Sequence, residues 1–119
     1  MLNLNHKKMT VWKKSIQLVK VIYSLTYQFP KSELFGLTSQ IRRAAISIPS
    51  NIAEGASRSS LKERKRFYEI SRSSLVELDT QIEICLSLEL IAKKEIVELN
   101  KLTNEIFALL SAMKLFAFC

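Results

Sequence analysis

The side chains best equipped for chemistry in this chain are cations. Lys7, Lys8, Lys13 and Lys14 stand near its start, and Arg58, Lys62, Arg64, Lys65 and Arg66 crowd its middle. At such density lysine and arginine hold anions, and phosphate suits both. Arg42 and Arg43 form a second, smaller basic pair. Acid–base chemistry has little to draw on. His6 is the only histidine, which removes HExxH, the Glu-x-x-His of di-iron bundles and histidine triads. No Arg precedes His6, so the arginine–histidine motif of helical-bundle ribonucleases is missing too. Gly36 and Gly55 are the only glycines, too few for a P-loop or a GxGxxG turn. Cys85 and Cys119 form no CxxC; Cys85, among Ile82, Leu86 and Leu88, reads as a small core residue, and neither a disulfide framework nor a metal site is implied. Glu54 beside Asn51 is the one carboxylate on a mostly apolar segment, and a hydrogen-bonded structural role is expected of it. The expectation is a protein with no catalytic site, metal, cofactor or small-molecule substrate.

What must position these cations is a set of helices. The chain has 119 residues, 48% of them hydrophobic, with two Gly and two Pro. That suits one modest core and supplies few of the turn residues that a sheet fold needs. Four segments carry helical periodicity, at about 9–28, 37–56, 60–88 and 92–116. In the first, Trp12, Ile16, Val19, Tyr23 and Thr26 form one stripe, and Val11, Leu18, Ile22 and Leu25 form a second beside it. Their combined arc of roughly 220° far exceeds the stripe of an ordinary surface helix. In the second segment the apolar register runs through Pro49, which predicts one kinked helix. Gly55 or the serine-rich turn after it is its expected C-cap. The third opens on Ser60-Leu61-Lys62-Glu63, a capping-box pattern, with Phe67, Ser71, Ser74, Leu75, Leu78, Ile82, Cys85 and Leu86 on one face. The fourth carries Ile96, Leu99, Thr103, Ile106, Leu110 and Met113 at coiled-coil-like spacing. Short connections predict an all-α, antiparallel up-down four-helix bundle as a single domain. The surplus apolar surface of the first and last helices predicts self-association, and a packed monomer is the alternative.

The net charge of +7 is polarised: +6 over residues 1–31, +4 over 32–66 and −3 over 67–119. Up-down topology gathers the nine main candidates and Lys114 at one end against only Glu54 and Glu63. The other end mixes basic and acidic residues evenly. Lys62, Arg64, Lys65 and Arg66 open a helix whose N-terminus is already positive, where acids are favoured. On the wheel Lys62, Lys65, Arg66 and Arg72 point into solvent. An anionic partner, RNA or DNA backbone foremost, accounts for cations placed against the dipole. A solvated face balanced by acids on a neighbour is the bland alternative. Helix-turn-helix spacing, RNP aromatics and zinc-knuckle cysteines are absent, so contacts would be to backbone. No apolar run approaches the roughly 20 residues that span a bilayer, and no signal peptide is evident, so a cytoplasmic protein without membrane attachment is expected.

The stretch SQIRRAAISIPSNIAEGASR, Ser39 to Arg58, closely resembles the signature of the 23S ribosomal RNA intervening-sequence protein family. Trp12, Tyr23, Phe29-Pro30, Glu33, Phe35-Gly36-Leu37 and the later SSLVELDTQI match as well, so the resemblance covers Val11 to Leu90. It implies a four-helix bundle assembled into a ring-like homopentamer, from bacterial reading frames lying in 23S ribosomal RNA genes or elsewhere. A related branch, the accessory proteins of diversity-generating retroelements, is similar in shape and binds nucleic acid and a reverse transcriptase. The resemblance supplies no catalytic residues. Ser73 stands where the pattern often has glycine, and looser packing of the third helix is expected there. Two functions follow as expectations: a non-enzymatic, oligomeric module that binds nucleic-acid backbone, or a scaffold with protein contacts alone.

Overall fold

The computed structural model describes the backbone of residues 1–116 and the side chains of residues 1–113. Cys119 and the Lys114 side chain lie outside the described residues. Four helices form: α1 Thr10–Thr26, α2 Leu37–Ala56, α3 Leu61–Ser87 and α4 Val97–Phe116, with no strand among the described residues. The largest departure from the expected bounds is at α4, whose predicted first turn, Lys93–Ile96, is a 3-10 helix. Similar single turns form at Asn5–Lys8 and Lys31–Glu33.

Helix ends have local causes. Pro30 disfavours a helical Phe29, and α1 stops at Thr26. The Ser60 hydroxyl accepts the Glu63 N–H at 3.1 Å and caps α3. Only half of the capping box forms, because the Glu63 carboxylate turns to Arg66 at 3.4 Å. At the far end the Leu90 N–H reaches the Cys85 carbonyl and the Glu89 N–H the Leu86 carbonyl. That closure holds Glu89 at φ 59°, a left-handed position where glycine is usual.

The two stripes of α1 part company. Val11, Leu18, Ile22 and Leu25 enter the core, while Ile16 and Tyr23 stay 37% and 40% exposed. On α3 the core residue is Tyr68, fully buried, and Phe67 is half-buried beside it. Ser73, where looser packing of the third helix was expected, is exposed. Cys85 is buried as expected; burial first, and the Glu33 charge second, push its thiol up to about 11.

α2 runs unbroken through Pro49. Proline removes the donor to the Ala45 carbonyl, a loss of about 3 kcal/mol in a helix interior. Side chains donate to the three carbonyls that follow: Ser50 Oγ to Ile46 at 2.9 Å, Asn51 Nδ2 to Ser47 at 2.8 Å, and Ser71 Oγ of α3 to Ile48 at 2.9 Å. These bonds offset part of that cost. Of the two C-caps expected, the serine-rich turn supplies the one used, through Ser57, and Gly55 sits in the last turn of α2 with negative φ. Its role is contact: a Cβ there would lie 2.8 Å from Tyr68 Cε1 and 3.0 Å from Phe67 Cβ.

Cross-helix pairs give the topology. Ser47 meets Ser74, Ile48 meets Ser71, and Gly55 meets Tyr68, so numbers rise on α2 as they fall on α3. Lys14 pairs with Glu105 and Gln17 with Glu98, so α1 and α4 run oppositely. Arg72 meets Ser111 while Asp79 lies across from Asn100, which sets α3 against α4. Arg42 bonds Thr26 near the end of α1, and the Asn5–Lys8 turn before α1 also packs on α2. Each helix packs on its chain neighbours and α1 on α4, closing an antiparallel four-helix ring. The long axis, 43 Å, is set by α3, about 40 Å at 1.5 Å per residue.

Candidate nucleic-acid interface

The junction between α2 and α3 builds the centre of the basic end. Arg58 leaves α2 and its guanidinium carbon lies 4.8 Å from the centre of the Phe67 ring; Arg66 approaches the same ring at 5.3 Å. Arg64 Nη1 donates to the Arg58 carbonyl at 3.2 Å. One aromatic ring and one carbonyl thus gather three arginines from either side of a turn. Cation–ring contacts of this kind are worth about 0.5–1 kcal/mol at exposed sites, enough to bias the side chains without neutralising them.

Carboxylates reach only some of the predicted cations. Arg58 pairs with Glu54 at 3.2 Å, and Arg66 with Glu63 at 3.4 Å. Their side chains are 46% and 64% exposed, and surface pairs of this type contribute roughly 0–1 kcal/mol, so a phosphate displaces the carboxylate at little cost. Lys14 is different. Its ammonium bonds Glu105 Oε2 at 2.5 Å, and that bond holds the Glu105 carboxyl below its ordinary range, with Lys101 adding to the effect. Lys14 is therefore committed to α4 rather than offered to a ligand. Lys7 donates to the Leu2 carbonyl. Lys8, Lys13 and Lys62 are exposed and Lys65 half-buried, with no ion pair among the described residues. Six of the nine predicted cations, the others being Lys14, Arg58 and Arg66, carry no carboxylate partner in that set.

Arg72 was expected in solvent and is not there. Its Nε donates to Ser111 Oγ at 3.1 Å, its guanidinium covers Phe107 at 4.5 Å, and Glu69 lies 3.8 Å away. α4 supplies the polar and aromatic surface that draws it in. Glu54, of which a hydrogen-bonded structural role was expected, is exposed and pairs with Arg58. The Asn51 amide serves the Ser47 carbonyl.

The secondary pair lies toward the opposite end. Arg42 Nε donates to Thr26 Oγ1 at 2.9 Å with its guanidinium 4.4 Å from the Tyr23 ring, and Arg43 is exposed. Neither joins the main cluster. Sequence reasoning missed Phe67 as the ring that collects Arg58 and Arg66; its position directly after Arg66 was the available signal.

The Asn5–Lys8 turn brings Lys7 and Lys8 to this end by packing on α1 and α2. His6 anchors it, 9% exposed, with its ring edge-on to Trp12 at 5.2 Å. Burial, then the Lys7 charge, lowers the His6 pKa below 6.5. A depressed imidazole favours the docked turn while neutral. Docking is therefore complete above pH 6.5 and weakens as pH falls below it, when protonation favours the undocked state. Trp12 is the only tryptophan, so its fluorescence should titrate with a midpoint under 6.5, and His6→Gln should flatten the curve. A flat wild-type profile would contradict this anchoring.

No curated protein is significantly similar to the chain. Among solved structures, a protein of unknown function from the S23 ribosomal protein family of Bacteroides thetaiotaomicron VPI-5482 superposes with a TM-score of 0.78 at 23% identity. The match covers 88% of this chain and 98% of that one, and it establishes a shared fold. The profile of the family described as 23S rRNA-intervening sequence protein matches residues 7–112. With that match spanning nearly the whole bundle, the chain belongs to the 23S rRNA-intervening sequence protein family.

Proposed function

We propose that this protein is a non-enzymatic, self-assembling module, a homopentamer as the family resemblance implies, that binds RNA or DNA backbone through its cationic pole. The observation that carries the reading is the α2–α3 junction, where the Phe67 ring and the Arg58 carbonyl gather three arginines beside Lys62 and Lys65, with Glu54 and Glu63 the carboxylates paired there. Cations set against the α3 macrodipole lower helix stability, and release of counterions from a bound phosphate chain is a compensating gain. The mode is sequence-tolerant, since phosphate contacts position a protein without reading bases. A cytoplasmic location fits such a ligand.

A mobility shift at low salt with a mixed-sequence RNA duplex tests the reading. Wild-type protein should shift it, and Lys62→Ala/Lys65→Ala/Arg66→Ala, with unchanged helical circular dichroism, should not. Absence of any wild-type shift would leave the scaffold reading, which the uncovered apolar surface of α1 and of the Leu34–Phe35 corner favours.

A further inference from the structure

Phe67 is the ring at the centre of the basic α2–α3 junction. It is half-buried, and its Cβ lies over the gap that Gly55 leaves on α2. The guanidinium carbons of Arg58 and Arg66 lie 4.8 Å and 5.3 Å from the ring centre. The ring is therefore already occupied by cations of its own chain. The same pattern recurs away from the junction. Arg42 covers Tyr23 at 4.4 Å, Arg72 covers Phe107 at 4.5 Å, and Trp12 packs on the core with the His6 ring against it at 5.2 Å.

Covered rings matter because the two forms of nucleic acid are held differently. A single strand offers unpaired bases, and proteins that bind it without reading sequence stack them on aromatic side chains, each base worth roughly 5- to 140-fold in affinity. A duplex keeps its bases stacked on one another and offers phosphates, more densely spaced. Each phosphate contact releases about 0.9 of a counterion from a duplex and about 0.7 from a single strand. The junction is equipped for phosphates. Arg58, Lys62, Arg64, Lys65 and Arg66 stand between residues 58 and 66. Phe67 holds two of these guanidinium groups, and the Arg58 carbonyl accepts from Arg64 Nη1 at 3.2 Å. Cations fixed in this way suit phosphates already fixed in a double helix. A flexible strand must be ordered to meet them, at a cost in affinity.

From this geometry we infer that the α2–α3 junction selects double-stranded over single-stranded nucleic acid, taking the duplex by its phosphates while its own ring stays covered. The inference rests on the proposed nucleic-acid reading and names the ligand class of that site. With one phosphate contact per cation, the five cations make the salt slope steeper for the duplex by about 1. Relative to molar salt, that difference amounts to about tenfold tighter binding of the duplex at about 0.1 M.

Fluorescence anisotropy of the full chain with an end-labelled, mixed-sequence RNA duplex, and with one of its strands alone, tests the selection. At about 0.1 M salt the duplex should bind about tenfold tighter and show the steeper slope, and a DNA duplex should outrank its own strand in the same way. A strand bound as tightly as its duplex, in either pair, would overturn the selection. Phe67→Leu separates the ring from the charges. Leucine keeps an apolar side chain against α2, so the helical circular dichroism should be that of the wild type. Arg58 and Arg66 lose their anchor for both ligands alike, and the ratio of duplex to strand affinity should stay unchanged. A ratio that rises roughly 5-fold or more, because the strand alone is weakened, would mean that bases stack on Phe67 and would overturn the inference. Failure of every nucleic acid to bind at low salt would refute the proposed function and the selection with it. Equal binding of strands and duplexes would refute the selection and leave the proposed function standing.

Discussion

Tyr68→Ala should destabilise the bundle by about 3–5 kcal/mol, and Gly55→Ala by about 1–2 kcal/mol although alanine is the better helix former. Tyr68 is fully buried, so truncation leaves a ring-sized cavity between α2 and α3. The second effect is the more specific. A Cβ at Gly55 would sit 2.8 Å and 3.0 Å from two carbons of the Tyr68 ring. A core ring cannot swing aside as a surface side chain would, so α2 must shift outward and its contacts with α3 loosen. The two residues should be strongly non-additive. In a Tyr68→Ala background the ring is gone, and Gly55→Ala should become neutral or stabilising. Urea unfolding midpoints of the four proteins check this. Additive losses would mean that Gly55 matters for its backbone freedom and not for the space it leaves.

The second large effect concerns binding. Each phosphate contact releases about 0.9 of a counterion from duplex nucleic acid, so the logarithm of affinity falls with the logarithm of salt in proportion to the contacts made. Lys62, Lys65 and Arg66 open α3, and none is engaged more firmly than the exposed pair of Arg66 with Glu63. Replacing all three with alanine should reduce the salt slope by about 3 per protomer engaged and weaken binding by orders of magnitude at low salt. Lys14→Ala should barely move the slope, because its ammonium is already bonded to Glu105. A triple variant with the wild-type slope would place the contacts elsewhere.

Much of the fold was legible in the residues because apolar spacing is a local property. Leu37, Ile41, Ala45, Ile48 and Ile52 mark α2 without reference to any other helix, and the observed bounds of α2 are those expected. Short connections then leave antiparallel packing as the arrangement available to long helices. Most of the misplaced side chains depend on a neighbouring helix. Whether Phe67 or Tyr68 turns inward is a single step of the helix, decided by the slot that Gly55 leaves on α2. Gly55 stood beside the serine-rich turn as a candidate cap, since a glycine at a helix end more often supplies positive φ than space. Arg72 leans onto Ser111 and Phe107 across 39 residues of sequence, and Lys14 finds Glu105 across 91; no local pattern announces either. The basic end was visible because up-down topology stacks distant segments, but which of its cations are engaged was not.

Lysine footprinting tests the pole most directly. The protein, alone and with duplex RNA at low salt, is acetylated briefly and the modified lysines are read by mass spectrometry. Lys8, Lys13, Lys62 and Lys65 should be protected by RNA, while Lys31, Lys93 and Lys94 at the far end should react equally in both samples. Protection spread evenly over all lysines, or confined to Lys31, Lys93 and Lys94, would contradict a nucleic-acid site at this end of the bundle.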